Sequence, residues 1–261
     1  MRAPKIIHQI WLQGWEQLPE KFHKNVNDLH RLNPDFTFKH WDEKSLQDEC
    51  AKLGSKYLEK FNSFNVLMLK VEFGRYVVLY NYGGISVDLD MASLKPIQSV
   101  PDLDSSDFIV SGAAFPANII SKINNALIIT TPKNIILKDL IHTIVKSNTK
   151  ESDYLTKELY INYTTGPFMF NTVITKYPEA IILDNKYFEP CLSVDLTCSV
   201  DTASAMDHQH ELSWINPIFK VLFTILIFIM RYWWIFASTG ILYFFQKPLA
   251  KISKRIIKAY F

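Results

Sequence analysis

Asp88 and Asp90, in the string Gly83-Gly84-Ile85-Ser86-Val87-Asp88-Leu89-Asp90-Met91, are the side chains whose type and spacing point most directly to chemistry. Hard divalent ions such as Mg²⁺ and Mn²⁺ take carboxylate oxygens, often one or two of them together with substrate phosphates. The pair therefore suits a metal bound to a diphosphate. Alternation of apolar and polar residues from Ile85 to Met91 predicts a strand with both carboxylates on one face. A bare D-x-D also decorates many surface strands and turns, so its neighbours in the sequence decide its meaning. Upstream, Glu72 and Arg75 are three residues apart in a helical pattern and share a helix face. Downstream, His208-Gln209-His210-Glu211-Leu212-Ser213-Trp214 offers an imidazole as a third ligand, from His208 or from His210.

The elements that must position these groups follow from periodicity. Ile6 to Leu12 is β-branched and aromatic and ends near Gly14, as a buried first strand would. Residues 20–32 predict a helix stopped at Asn33-Pro34, Phe36 to Trp41 a second strand, and Asp42 the start of another helix. The order strand, helix, strand makes an α/β unit. Apolar residues at helical spacing over 64–82 end at Gly83-Gly84, where a left-handed carboxyl-terminal cap belongs. Further strands are expected at Phe108–Val110 and Asn125–Ile129, a helix over Asn134–Ser147, and a helix opened by Thr164-Thr165-Gly166-Pro167.

Composition bounds the rest. A chain of 261 residues with 48% hydrophobic and 21% charged side chains can bury a sizeable core, which excludes disordered and low-complexity classes. The net charge of +2 hides an asymmetry: residues 212–261 carry seven basic side chains and no acidic one, leaving residues 1–211 at −5. An acidic body offers no footprint for nucleic acid, whereas an apolar, basic tail suits an anionic membrane surface. The stretch Val221–Phe245 is long enough to span the hydrocarbon as a helix, but Arg231 sits near its middle. A shallow helix pair turning near Arg231 or Ser238-Thr239-Gly240, anchored by Tyr232, Trp233, Trp234 and Phe236, avoids burying that charge. No apolar run near Met1 has the length of a secretion signal. Cys50, Cys191 and Cys198 contain no C-x-x-C and leave an odd thiol, so no disulfide framework is expected and a reducing compartment is preferred.

Together, Pro4-Lys5-Ile6-Ile7-His8-Gln9-Ile10-Trp11, Glu72-x-x-Arg75-Tyr76-x-x-Leu79-Tyr80, Gly83-Gly84-Ile85 and Asp88-x-Asp90 resemble, in order, the D-x-D sugar-transferase family. That family includes glycosyltransferase family 32, fungal mannosyltransferases, inositol-phosphoceramide mannosyltransferases and, more distantly, large clostridial toxin glucosyltransferases. The resemblance covers roughly residues 3–215. Glu72 stands where the family usually has Asp, and Ser86 where it usually has an aromatic.

The resemblance implies a GT-A-like, Rossmann-type α/β nucleotide-sugar domain over 1–214; the apolar, basic composition beyond it predicts a hydrophobic, membrane-associated helical segment over 215–261. It implies that Trp11 stacks on the nucleotide base, that Glu72 and Arg75 bind ribose or sugar, and that Asp88 contacts hydroxyls or a metal water. Asp90 would ligate Mn²⁺ or Mg²⁺, joined by His208 or, as second choice, His210. Trp214 would pack over the diphosphate, with Gly84 also at the donor. Asp88, Asp90 and Arg75 would form the catalytic set for retaining transfer of a hexose from a UDP- or GDP-linked donor to a glycan or lipid-linked hydroxyl. The catalytic unit is expected at a membrane, on its cytoplasmic face, with a lumenal Golgi or ER orientation as the alternative. An idle membrane-binding scaffold and a metal-dependent phosphoesterase are the competing functions.

Overall fold

Ile6–Ile10 forms β1, and its branched side chains are buried on both faces of a sheet, as a central parallel strand requires. The computed structural model describes residues 1–115, 117–119, 121–192, 198–211, 218, 221–222, 224–230 and 232. After β1 come α1 (Glu20–Leu32), β2 (Thr37–Trp41), α2 (Glu43–Leu53), α3 (Ser55–Ser63) and α4 (Leu67–Tyr82). Then follow β3 (Gly84–Val87), β4 (Met91–Ser93), β5 (Phe108–Gly112), β6 (Ile123–Thr130) and α5 (Ile135–Lys146). The order closes with α6 (Lys157–Thr164), α7 (Pro167–Ile174), β7 (Ile181–Leu183) and β8 (Met206–His208).

Six strands make one mixed sheet in the order β2-β1-β3-β6-β5-β7, and β4 pairs with β8 in a separate two-stranded sheet. In the large sheet β1 is parallel to both β2 and β3, while β6 runs antiparallel to β3 and β5. Local chemistry explains the helix ends. Asp42 caps α2 by accepting from Ser45 N–H at 2.8 Å, Asn134 caps α5, and Pro167 opens α7 where its missing N–H costs nothing. Helix α4 is buried nearly all round: Phe73, Tyr76, Val77 and Leu79 are fully enclosed, in a cluster that also takes in residues of α2, α5 and α7. Its close approach to α2 needs Gly74, where a Cβ would stand 2.6 Å from a Leu46 methyl.

Two expectations change. The run Ile85–Met91 is not one strand: β3 ends at Val87, and Asp88-Leu89-Asp90 form a turn before β4. The chain there leaves the large sheet for the small one, and Met91 N–H bonds back to Asp88 O at 3.1 Å. The carboxylates are therefore brought together by a turn rather than by a shared strand face. The cysteines also pair, against expectation: Cys191 and Cys198 form a disulfide, their Cα atoms 5.7 Å apart. The odd thiol, Cys50, is buried in the core, where burial pushes it up to about 12, so an odd count does not prevent a pair.

The chain divides into two compact units, Met1–Trp214 and Ile215–Phe261. In the second, the described residues are helical and unusually apolar for their exposure, with Val221, Leu222, Ile225 and Phe228 each about half exposed. No helix among the described residues is long and apolar enough to cross a membrane. Arg231, the expected turn at 238–240 and the basic tail lie outside the described residues.

Candidate functional site

A cleft of about 590 Å³ opens at the end of β3, lined among others by Trp11, Glu72, Arg75, Asp88, Asp90 and His208. These residues come from four separate segments, and the hydrogen bonds of the fold account for how they meet. Asp88 N–H bonds Ala126 O on β6 at 3.1 Å, which fixes where the turn leaves the sheet. Arg75 reaches from α4 to the turn, one guanidinium nitrogen donating to Asp88 Oδ1 and another to Asn125 O at 2.5 Å. The late histidine arrives by strand pairing: β8 lies antiparallel to β4, with Met91 opposite His208. Gln209 N–H then donates to Asp90 O, and Glu211 N–H donates to Asp90 Oδ2, both at 2.9 Å.

The geometry separates the two histidines. His208 Nε2 lies 3.4 Å from Asp90 Oδ1, and Asp88, Asp90 and His208 offer ligand atoms within 4.8 Å of one another. His210 adopts φ +45 and turns elsewhere, its Nε2 3.2 Å from Cys191 O and 3.5 Å from Glu189 Oε1. It belongs to a second group, Glu189, His208 and His210, also within 4.8 Å. Glu189 carries no signal in the sequence, because it follows β7 in an irregular segment and only the tertiary fold brings it to the histidines.

Electrostatics favour a cation here. Burial pushes Asp88 up to about 6 against the pull of Arg75, with the like charge of Asp90 adding to the rise. Burial likewise raises Glu189 to about 7 despite His208. Burial opposes charge on Asp90 too, but the His208 hydrogen bond and charge and the Glu211 N–H overcome it and hold the carboxyl at about 2. Burial also disfavours the His208 imidazolium, yet Asp90, Glu189 and Asp88 outweigh it and raise its pKa. His210 moves the other way, to about 3, through burial and the neighbouring His208 charge. The buried His208 Nδ1 and Arg75 Nε have no hydrogen-bond partner among the described residues, the nearest carboxylate to His208 Nδ1 being Glu189 at 4.0 Å. Adjacent ligands on an octahedral ion with bonds of about 2.1 Å stand about 3 Å apart, close to the Asp90–His208 separation. The two carboxylates are hard donors that fit Mn²⁺ or Mg²⁺, and the imidazole, a borderline donor, fits the former better.

The remaining expected residues fall into three groups. Trp11 is partly exposed at the cleft, its Nε1 donating to Gln17 O at 3.1 Å and its ring against Phe22. Glu72 reaches the cleft wall but is nearly enclosed: Oε2 accepts from Thr165 Oγ1 at 2.5 Å and Oε1 from Asn125 at 3.3 Å. Burial raises it to about 7 against those bonds. It thus ties the Thr165-Gly166-Pro167 loop to α4. Gly84 corrects the expectation of a donor contact. It is buried under β1, a Cβ there would stand 2.4 Å from Ile6 O, and it is absent from the cleft wall, so its glycine serves backbone packing at φ +100. Trp214 lies outside the described residues.

A concave site joining two carboxylates, an imidazole and an aromatic side chain has the donors to hold a divalent ion and the room for a small molecule beside it. Residues 19–107 match the family described as glycosyltransferase sugar-binding region containing DXD motif. Over 81% of its length the chain is 26% identical to an uncharacterized glycosyltransferase, L373, of Acanthamoeba polyphaga mimivirus, covering 83% of that protein. It is 29% identical to inositol phosphoceramide mannosyltransferase 1 of Schizosaccharomyces pombe over 67% of this chain, and spans 52% of that relative. Among solved structures it is similar to PaToxG glycosyltransferase, with 19% identity, TM-score 0.47, and 67% of this chain and 69% of that one covered. Residues 19–107 thus match the D-x-D sugar-binding region, and the chain around them is similar to glycosyltransferases.

Proposed function

We propose that this chain is a metal-dependent, retaining hexosyltransferase with a GT-A-like catalytic unit, using a UDP- or GDP-linked sugar and a glycan or glycolipid hydroxyl. The observation that carries the reading is the convergence of Asp88, Asp90 and His208 within 4.8 Å on one wall of a cleft also lined by Trp11. Asp90 and His208, with Asp88, would hold Mn²⁺ or Mg²⁺. When bound, the ion would neutralise charge on the departing nucleoside diphosphate.

The chain's own groups do the rest. Arg75 fixes Asp88 and keeps a cation beside the diphosphate end of the cleft, while Trp11 offers a flat surface to the base. In retaining transfer the acceptor oxygen bonds the anomeric carbon as the bond to the diphosphate oxygen breaks, and that leaving oxygen takes the acceptor proton. No nucleophilic carboxylate is then needed, which agrees with both Glu72 oxygens being engaged by Thr165 and Asn125.

The exposed apolar helix of the second unit and the basic tail support a membrane-associated acceptor. The Cys191–Cys198 disulfide supports the lumenal orientation over the cytoplasmic one, because such bonds persist in oxidising compartments. A panel of nucleotide sugars assayed with and without Mn²⁺ tests the proposal. Metal-dependent release of nucleoside diphosphate from one donor is expected; release of inorganic phosphate instead would make the site a phosphoesterase.

A further inference from the structure

The rings of His208 and His210 lie side by side, their centroids 3.8 Å apart, and both line the donor cleft. Each turns a nitrogen toward the same carboxylate oxygen: Glu189 Oε1 is 3.5 Å from His210 Nε2 and 4.0 Å from His208 Nδ1. All three side chains are more than nine-tenths enclosed. The fold holds the carboxylate in place, since Glu189 N–H bonds Asn185 O at 2.7 Å and Cys191, two residues on, is tied to Cys198. Yet Glu189 Oε2 and His208 Nδ1 make no hydrogen bond among the described residues. Buried polar atoms left without a bond are costly, and an ion that takes up their lone pairs would satisfy both.

The donor set differs from the one beside the aspartates. Two imidazoles and one carboxylate are what Zn²⁺ takes, with bonds of about 2.0–2.2 Å that put neighbouring corners of a tetrahedron about 3.4 Å apart. The Glu189–His210 separation is close to that value, and Cys191 O, 3.2 Å from His210 Nε2, is a further oxygen beside the group. With its proton on Nδ1, His210 offers the Nε2 lone pair to the ion. His208 has a choice to make, because a neutral imidazole carries one lone pair and one proton. If Nε2 serves a cation beside Asp90, Nδ1 keeps the proton on the Glu189 side. If Nδ1 serves an ion beside Glu189, the proton sits on Nε2, 3.4 Å from Asp90 Oδ1.

We propose that Glu189, His208 and His210 form a second metal site, selective for Zn²⁺, whose occupation withdraws His208 from the cation of the donor cleft. Zinc binding itself does not rest on the transferase reading, whereas the competition does. By linkage, Zn²⁺ weakens Mn²⁺ binding by the same factor as Mn²⁺ weakens Zn²⁺ binding. Zinc would thus inhibit the enzyme from outside the aspartate pair.

Zn²⁺ also outranks Mn²⁺ at most mixed donor sets, so the test must separate this site from direct entry into the donor cleft. Calorimetric titration of Zn²⁺ into the full chain carrying Asp90→Asn, which disables the donor site, does so. Saturable binding of one ion is expected, and adding Glu189→Gln or His210→Asn should weaken it about 100-fold. Either second substitution suffices should the other fail to fold. In the second arm, the Mn²⁺ resonance of the otherwise wild-type chain is followed as Zn²⁺ is added. Displacement of Mn²⁺ is expected, and His210→Asn should need about 100-fold more Zn²⁺ for the same effect. No saturable Zn²⁺ binding to Asp90→Asn, or binding unchanged by the second substitutions, would overturn the site. Equal displacement in wild type and His210→Asn would overturn the competition. Zinc bound as expected in a chain that binds no Mn²⁺ would instead overturn the donor-cleft reading alone.

Discussion

Asp90 is held on three sides: its main chain by Gln209 N–H, one oxygen by Glu211 N–H, the other beside His208 Nε2. Replacing it with Asn keeps the shape and removes the charge, so Asp90→Asn should fold normally yet lose more than about 100-fold in metal-dependent turnover. Comparison of circular dichroism with Mn²⁺-dependent donor hydrolysis checks both halves. Trp11 is the second residue on which the account depends. Base–aromatic stacking contributes about 1–3 kcal/mol, so Trp11→Ala should weaken donor binding about 10- to 150-fold. Unchanged donor affinity with a lower melting temperature would make Trp11 a core residue. Residue type and spacing pointed to Asp88 and Asp90 through hard-ion chemistry, while Arg75 and the histidine string took their roles from the family resemblance. They did not reveal Glu189, nor which histidine meets the aspartates, since both depend on pairing between segments far apart in sequence.

At the scale of elements, the segments read from periodicity were those with a strong apolar pattern: β1, α1, β2, α4, β5, β6 and α5 all lie within a few residues of expectation. Short elements with weak patterns, α3, α6, β7 and β8, were not legible, and β8 is the one that carries His208 to the turn. The end of α4 at Gly83-Gly84 was legible, but the left-handed cap expected there is not what forms: Gly83 has ψ −164, outside that conformation. Gly83 has φ +62 with Pro132 packed where a Cβ would be, and Gly84 has φ +100 against Ile6 O. Gly84→Ala should therefore destabilise the fold by at least about 2 kcal/mol, measured by urea unfolding, through backbone strain and overlap.

His8 braces the same turn. Its Nε2 bonds Gly83 O at 2.8 Å, and Trp41 Nε1 donates to its Nδ1 at 3.1 Å, which leaves no room for a second proton. Burial lowers its pKa from 6.5 to about 4. Between those values the unfolded chain binds the extra proton and the folded one does not, so stability falls as pH drops below 6.5 and levels off under about 4. Acidification from pH 7 to pH 5 should cost about 2 kcal/mol through this residue. His8→Gln should be less stable at pH 7 and show a pH slope shallower by that amount; an identical slope would remove His8 as its source.

At the scale of the molecule, the two units divide by chemistry: a catalytic body with a charge of −5 over residues 1–211, and a tail with seven basic residues beyond them. Each basic residue near an anionic surface contributes about 1 kcal/mol, and insertion of the apolar helix adds to this. Truncation after Pro217 should abolish co-sedimentation with anionic liposomes and leave donor hydrolysis intact. A truncated protein that still binds liposomes would place the membrane contact on the catalytic unit, and an unfolded one would make the tail part of the core.

The central claim is that Asp88, Asp90 and His208 form one cation site, with Glu189 and His210 supporting it from outside. Titration of Mn²⁺ onto the full chain, followed by electron paramagnetic resonance, measures this most directly. Loss of a direct ligand in Asp90→Asn or His208→Asn should weaken Mn²⁺ binding by more than about 100-fold, while His210→Asn, which removes only a supporting group, should cost about tenfold. Wild-type affinity in Asp90→Asn, or a larger loss from His210→Asn than from His208→Asn, would contradict it.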